Sequence, residues 1–342
     1  MSAGRRAAVL GTGSWGTSFG HHLCHAWDEV VLWGIDPAQV RAINETRENP
    51  AYLPGVTLPP NARATLELAD AVARAEAAFV VVPSQAVRET GARLAAAGLP
   101  AGAPVISLTK GMEIATLKRL SEVLEEETGR DRTGGDHPVG VLLGPSHAEE
   151  VARGLPTALV LAGRPGVDWV AWRARLGGPA LRVYTNDDLI GVEIASAFKN
   201  VIAIAAGICD GLGLGDNTRG AVMTRGLAEL ARLACALGGR RETCYGLSGI
   251  GDMITTCTSR YSRNRNFGEE VGRGVKDPQA VLAASLQVVE GVVMTQAALK
   301  LGLRIGVELP ITQAVHDVLF SGRSPVVAMR GLMEREPRAE HD

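Results

Sequence analysis

Two patterns divide this 342-residue chain near residues 185–188. Before that point, short β-branched or apolar runs alternate with stretches of helical spacing. Ala7–Leu10, Val30–Trp33, Ala62–Thr65, Phe79–Val82, Val105–Thr109, Val139–Leu143, Ala158–Leu161 and Leu181–Tyr184 read as strands. Several are apolar throughout, as in strands covered on both faces. Gln85–Ala97 and Thr116–Glu127 read as helices between them. This alternation predicts a doubly wound, mostly parallel sheet. From Leu189 onward no strand pattern is legible. Long helical stretches follow at about Asp188–Cys209, Arg219–Leu237 and Val292–Leu301, with shorter ones after Ser262 and Pro310. The reading is an α/β domain over 1–186, an all-α domain over 187–332, and a charged, frayed tail over 333–342.

Gly11-Thr12-Gly13-Ser14-Trp15-Gly16 follows the first strand directly and opens a helical run. In G-x-G-x-x-G, the first glycine permits a tight turn and the second lets a pyrophosphate approach the backbone. The third lets helix and strand pack closely. Free N–H groups and the positive end of the helix then face the phosphates. Asp36, twenty residues past Gly16 and just beyond the second strand, can accept hydrogen bonds from adenine ribose hydroxyls. The spacing predicts a dinucleotide site for NAD or NADP; a purely structural glycine turn is the alternative. Gly34, Ile35 and Asp36 offer no arginine for a 2′-phosphate, and the nearest basic residue is Arg41, which leans towards NAD.

The formal charge of −2 and the lack of a basic stripe interleaved with aromatics argue against a nucleic-acid partner. Five widely spaced cysteines without a C-x-x-C pair argue against a disulfide framework or zinc site and fit the cytoplasm. The apolar stretch after Met1–Arg6 is too short for a signal peptide, and the longest mostly apolar run, Val201–Cys209, falls short of a membrane span. His21 and His25 lie four apart without a third ligand at suitable spacing, so they read as a solvated helix face, with no metal expected.

In the helical half, Glu193, Ser196, Lys199 and Asn200 interrupt an otherwise apolar helix in steps of three and four. Lys199 either lines a cleft as an acid/base group or covers apolar surface with its stem while its amine reaches water. Lys110 follows the fifth strand in Thr109-Lys110-Gly111, and Gly144-Pro145-Ser146-His147 follows the sixth. Both lie at the carboxyl edge of the sheet, where ligands bind in such folds. The alternatives are a solvated loop lysine and a rigid turn with a serine cap. Asp252, in Ser248-Gly249-Ile250-Gly251-Asp252, can pair with a lysine amine. Ser262 can cap the next helix, leaving N–H groups and Arg263 for a phosphate, unless this is a surface turn with solvated arginines. Cys257 has no flanking histidine to make it a nucleophile.

Taken in order, these segments resemble the bacterial type of NAD(P)-dependent glycerol-3-phosphate dehydrogenase. The matching stretches include Gly11 to Thr17, Val80-Val81-Val82-Pro83-Ser84, Thr109-Lys110-Gly111, Gly144-Pro145-Ser146 and Glu193 to Ala203. Thr224-Arg225-Gly226-Leu227, Gly249-Ile250-Gly251-Asp252, Ser262-Arg263-Asn264 and Val288-Val289-Glu290-Gly291 complete the set. The resemblance implies a Rossmann domain followed by an all-α domain of the 6-phosphogluconate dehydrogenase-like type, with the active site between them. It implies interconversion of sn-glycerol 3-phosphate and dihydroxyacetone phosphate, run towards glycerol 3-phosphate for phospholipid synthesis. It implies Lys199 as general acid/base, Lys110 in contact with substrate and cofactor, and Asp252 in the catalytic cluster. Asn200 and Thr256 match positions near the substrate. Gly144, Ser146, Ser262, Arg263 and Asn264 match substrate contacts, the last three at the phosphate. Ser14, Trp15, Ala148, Arg263, Val288 and Glu290 match cofactor contacts. Ile35 departs from the His or Arg of many members, which touches cofactor preference and not chemistry. Rival readings are another hydroxyacid or sugar dehydrogenase on the same plan, or a non-catalytic nucleotide sensor. The oligomeric state is left open, with a homodimer as the candidate.

Overall fold

The computed structural model describes residues 5–129, 137–274, 277–284, 288–336 and 339. They form two compact units, Met1–Glu193 and Ile194–Asp342. The first unit is built on ten strands: β1 Arg6–Leu10, β2 Glu29–Trp33, β3 Glu48–Asn49, β4 Leu53–Thr57, β5 Ala62–Thr65, β6 Ala77–Val80, β7 Val105–Ser107, β8 Val139–Leu143, β9 Thr157–Gly163 and β10 Leu181–Asn186. Its helices are α1 Ser14–Leu23, α2 Pro37–Thr46, α3 Leu68–Val72, α4 Val87–Ala96, α5 Leu120–Thr128, α6 Ala148–Ala152 and α7 Trp169–Leu176.

Eight strands form one sheet in the order β10-β9-β8-β7-β6-β1-β2-β5, and β3 and β4 form a separate antiparallel pair. Within the large sheet only β8 and β9 run antiparallel. The order reverses between β1 and β6, which opens a crevice at their carboxyl ends. Alternation along β1 explains why both faces need cover. Ala7 and Val9 join a core with Phe19, Leu23 and Ile43, whereas Ala8 and Leu10 join a second core with Leu68, Val87 and Val123.

All eight expected strands occur in the large sheet, two of them with the expected bounds and six with shifted ends. The third inner strand is Ala77–Val80 and not Phe79–Val82, and β7 stops at Ser107. Beyond these ends Thr109 Oγ1 donates to the Val82 carbonyl at 2.7 Å, so a side chain takes over from the ladder. The helix expected from Thr116 begins at Leu120. Leu117 adopts a left-handed φ of 59°, which breaks the helical path before that point.

The second unit takes in most of α8 Leu189–Gly211, followed by α9 Gly215–Ala236, α10 Arg241–Cys244, a π-helical turn Leu247–Gly251, α11 Asp252–Thr258, α12 Arg263–Arg273, α13 Pro278–Ala283, α14 Glu290–Ile305, α15 Pro310–Phe320 and α16 Pro325–Met333. Its described residues contain no strand. Asp188 starts α8 by accepting from the Gly191 N–H at 2.8 Å. By length and composition α8 could cross a bilayer, unlike the shorter run legible in the sequence, yet 94% of its most apolar window is buried inside the protein. It is a core helix. Where α8 crosses α12, side chains on Gly207 and Gly211 would fall on the Arg265 and Glu269 carbonyls. Side chains on Gly268 and Gly272 would fall on those of Ile204 and Ile208.

Glu229 on α9 is buried and caps α15. Its carboxylate accepts from the Ile311 N–H at 2.5 Å, the Thr312 N–H at 3.3 Å and the Thr312 hydroxyl at 3.2 Å. Burial pushes this carboxyl up to about 7 despite those bonds. At the carboxyl end, α16 runs to Met333, into the stretch expected to fray; residues 337, 338 and 340–342 of that tail lie outside the described residues.

Candidate active site

The Gly11–Gly16 loop leaves the end of β1 at the crevice. Gly11 has φ +126°, and a side chain there would meet the Val81 carbonyl oxygen at 2.5 Å. A side chain on Gly16 would fall on the Gly11 carbonyl oxygen, so both ends of the loop require glycine for close backbone packing. Gly13 differs: beyond its immediate chain neighbours, a side chain there would meet nothing within 4 Å. Gly13 is also the N-cap of α1 and supplies no side-chain cap. The loop therefore presents an open backbone cradle at a helix N-terminus, which fits a pyrophosphate. Trp15 packs partly buried against the core, its ring 5.7 Å from Phe19, and the Ser14 hydroxyl donates to the Tyr52 carbonyl at 2.6 Å. Asp36 stands exposed past β2, where one oxygen accepts from the Ala38 N–H at 2.9 Å and caps α2. Ile35 beside it is 77% exposed, so no core packing dictates its identity.

Two residues that shape this loop are not legible in the sequence. Asn49, fully buried on the β3–β4 pair, donates to the Thr12 carbonyl at 2.7 Å and to the Thr17 hydroxyl at 2.8 Å. The Thr12 hydroxyl bonds the Gln39 side chain. Neither Asn49 nor Gln39 belongs to the glycine motif or lies near it in the chain.

At the ends of β7 and β8, the Lys110 amine donates to the Gly144 carbonyl at 2.8 Å, and the Ser146 hydroxyl donates to the same oxygen at 3.1 Å. Gly144 has φ +139°, a conformation that aims this carbonyl where a residue with a side chain would be strained. Ala148 opens α6, and its carbonyl accepts from the buried Ser18 hydroxyl of α1 at 2.9 Å. Lys110, Gly144, Ser146 and Ala148 thus gather at one edge of the first unit.

The second unit holds a buried ionic cluster. Lys199 is 4% exposed, which rules out an amine reaching water. Its amine donates to an Asp252 carboxylate oxygen at 2.7 Å and to the Thr256 hydroxyl at 2.5 Å. Thr256 in turn donates to the Asp252 backbone carbonyl at 2.7 Å, one helical turn back. Asp252 starts α11 directly after the π-helical turn, an irregularity common at functional sites. Asn200 accepts from the Asn264 amide at 3.0 Å, and Asn264 accepts from the Gly291 N–H at 2.8 Å. Asn264 therefore bridges α8 and the start of α14. Ser262 caps α12 by accepting from the Arg265 N–H at 3.2 Å. The Arg263 guanidinium donates to the Val288 carbonyl at 3.1 Å, two residues before Glu290 opens α14. These contacts bring together Asn200, Asn264, Arg263, Val288 and Glu290.

Not every residue of the α8 stripe belongs to this cluster. Six residues of helix separate Glu193 from Lys199, which turns their side chains about 120° apart. Glu193 bonds instead to Arg119 and Ser121, and Ser196 donates to the Ser248 carbonyl at 3.2 Å. Burial pushes the Glu193 carboxyl up, with the Arg119 charge the largest influence against it. Burial pushes the Cys257 thiol up to about 12, which removes it as a thiolate nucleophile at neutral pH. His21 and His25 stack edge to face at 6.0 Å, and among the described residues no three His, Cys, Asp or Glu side chains are grouped to hold a metal.

The N-terminal family model for NAD-dependent glycerol-3-phosphate dehydrogenase matches residues 6–165, and its C-terminal counterpart matches residues 188–330. Glycerol-3-phosphate dehydrogenase (NAD(P)+) of Moorella thermoacetica is 50% identical over 330 residues, covering 96% of this chain and 95% of that protein. The enzyme of that name from Pelotomaculum thermopropionicum is 47% identical over 331 residues, covering 96% and 93%. The crystal structure of glycerol-3-phosphate dehydrogenase from Coxiella burnetii superposes with a TM-score of 0.90 at 38% identity, covering 97% of this chain and 99% of that one. Fold, glycine loop and relatives agree: this chain belongs to the NAD-dependent glycerol-3-phosphate dehydrogenase family.

Proposed function

We propose that this chain interconverts dihydroxyacetone phosphate and sn-glycerol 3-phosphate, with Lys199 as the general acid/base. The observation that carries the assignment of roles is the buried Lys199–Asp252–Thr256 cluster. A lysine taken out of water and held by a carboxylate has one fixed amine position, as an acid/base group needs. When bound, the reduced dinucleotide supplies hydride to the carbonyl carbon. As negative charge grows on the carbonyl oxygen, the Lys199 ammonium stabilises it and delivers the proton. Asp252 holds the ammonium in place, and Lys110 adds positive potential. Ser262, Arg263 and the N-terminus of α12 hold the substrate phosphate. Asn264, engaged with Asn200 and Gly291, orients Asn200 towards the substrate.

Gly11, Gly13, Gly16, Ser14, Trp15, Ala148, Val288 and Glu290 are assigned to the dinucleotide. Asp36 favours NAD, because a carboxylate accepts from ribose hydroxyls and repels a 2′-phosphate. The wide spacing of the five cysteines, with no C-x-x-C pair, supports a reducing compartment, the cytoplasm. Loss of absorbance at 340 nm with dihydroxyacetone phosphate, run separately with NADH and NADPH, tests the reaction. Turnover with a higher kcat/KM for NADH is expected. No turnover with either cofactor, in folded protein that binds dinucleotide, would overturn the substrate.

A further inference from the structure

Arg119 is 8% exposed and has no place in the glycine motif or the lysine clusters. Its Nη1 donates to Glu193 Oε2 at 2.6 Å and to the Ser121 hydroxyl at 3.0 Å. That hydroxyl donates to the same Glu193 oxygen at 2.6 Å, and the Ser121 N–H donates to Glu193 Oε1 at 2.9 Å. The Glu193 carboxylate therefore caps the N-terminus of α5 from outside that helix, where the helix dipole favours a negative charge.

The backbone of Arg119 forms an antiparallel bridge with Met112, two residues beyond Lys110. The intervening loop closes on itself, with the Glu113 N–H donating to Lys118 at 3.1 Å and the Leu117 N–H donating to Glu113 at 2.9 Å. Arg88 of α4 clamps this loop through two bonds to Glu113, at 2.7 and 2.8 Å. One residue thus grips the Lys110 loop with its backbone and the first part of the Lys199 helix with its side chain. Glu193 lies about 9 Å before Lys199 along that helix, with continuous hydrogen bonding between.

We propose that Arg119 and Glu193 are a positioning pair that anchors the first turns of α8, within the first unit, to the loop that carries Lys110. This rests on the catalytic reading of Lys110 and Lys199. Neither Arg119 nor Glu193 touches substrate in the proposed chemistry; a small displacement of an acid/base group suffices to slow the reaction.

A double variant separates positioning from simple stability. Removing one charge strands the other in the interior, whereas replacing both with apolar side chains is often neutral for folding. Arg119→Met and Glu193→Gln should each lower Tm and kcat. Arg119→Met/Glu193→Leu should recover part of the Tm lost in Arg119→Met, the rest going with the Ser121 cap, yet keep kcat about 10- to 100-fold down with KM for dihydroxyacetone phosphate little changed. Each variant is assayed at the same interval below its own Tm, so a less stable double variant still reports kcat. Wild-type kcat in the double variant would overturn the proposal and leave the pair a structural strut. Lys199→Met runs alongside. If it retains full kcat, the catalytic reading itself falls; if it is inactive while the pair variants are normal, only the positioning role falls.

Discussion

The Gly11–Gly16 loop and the Lys199 cluster solve opposite problems. The loop works by absence of side chains: in the proposed reading its function lies in backbone N–H groups, and its residues are adjacent in sequence. The cluster works by side chains withdrawn from water, drawn from α8 and α11, with Lys199 and Asp252 53 residues apart in the chain. The loop tolerates solvent and pays little for its polarity. The cluster is stable only while its charges stay matched, because an unpaired buried charge costs several kcal/mol. A site of the first kind can be read as a spacing, whereas one of the second kind shows only as residue types until the fold brings them together.

The widest gap between the two regions should appear on removing Lys199. We expect Lys199→Met to lower kcat by about 10²–10⁴-fold, the usual worth of a positioned acid/base, while dinucleotide affinity measured by nicotinamide fluorescence stays near normal. Near-normal kcat in that folded variant would break the contrast. Within the loop, Gly13→Ala and Gly16→Ala should part company. Alanine at Gly16 collides with the Gly11 carbonyl and should lower both Tm and dinucleotide affinity, the latter by about 100-fold. Alanine at Gly13 meets open space in the protein, so Tm should hold while affinity falls about tenfold or more. Equal Tm losses would show that both glycines serve packing alone.

Glu229 sharpens the comparison from the other side, as a buried carboxylate held by helix N–H groups and not by an ammonium. Its carboxyl rises in the folded state from 4.5 to about 7, so the native protein holds more protons than the unfolded one between those values. Its contribution therefore favours folding below about pH 4.5 and is lost as pH climbs to about 7, a change on the order of 3 kcal/mol. Relative to wild type, Glu229→Gln should gain about 5–10 °C in Tm between pH 5 and pH 8. A difference independent of pH would mean that the group stays ionised throughout. The smallest effect is expected at the rim of the loop. Ile35→Arg places a cation beside the ribose position and should raise kcat/KM for NADPH over NADH by about tenfold, with Tm unchanged.

The eight strands of the large sheet were legible because strands buried on both faces read as apolar runs. Where their ends slipped, they did so by one or two residues; at β7, Thr109 bonds through its side chain where the ladder stops. The β3–β4 pair left no signal: β3 is two residues long, and Pro54 and Gly55 interrupt β4. Asn49, which locks the glycine loop from that pair, was hidden with it. The stripe on α8 was visible, but two steps of three turn Glu193 and Lys199 apart around the helix, and only the fold shows the separate partners that Glu193 takes. Nor could it show Arg119, whose partner lies 74 residues away.

The crossing of α8 and α12 has a consequence for how such a chain changes over time. There main chain rests on main chain at four glycines, so no rotamer can move aside and no compensating substitution can refill the contact. Mutational drift in the second unit has to route around this point. The helix bearing Lys199 thereby keeps a fixed spine, whatever changes around it.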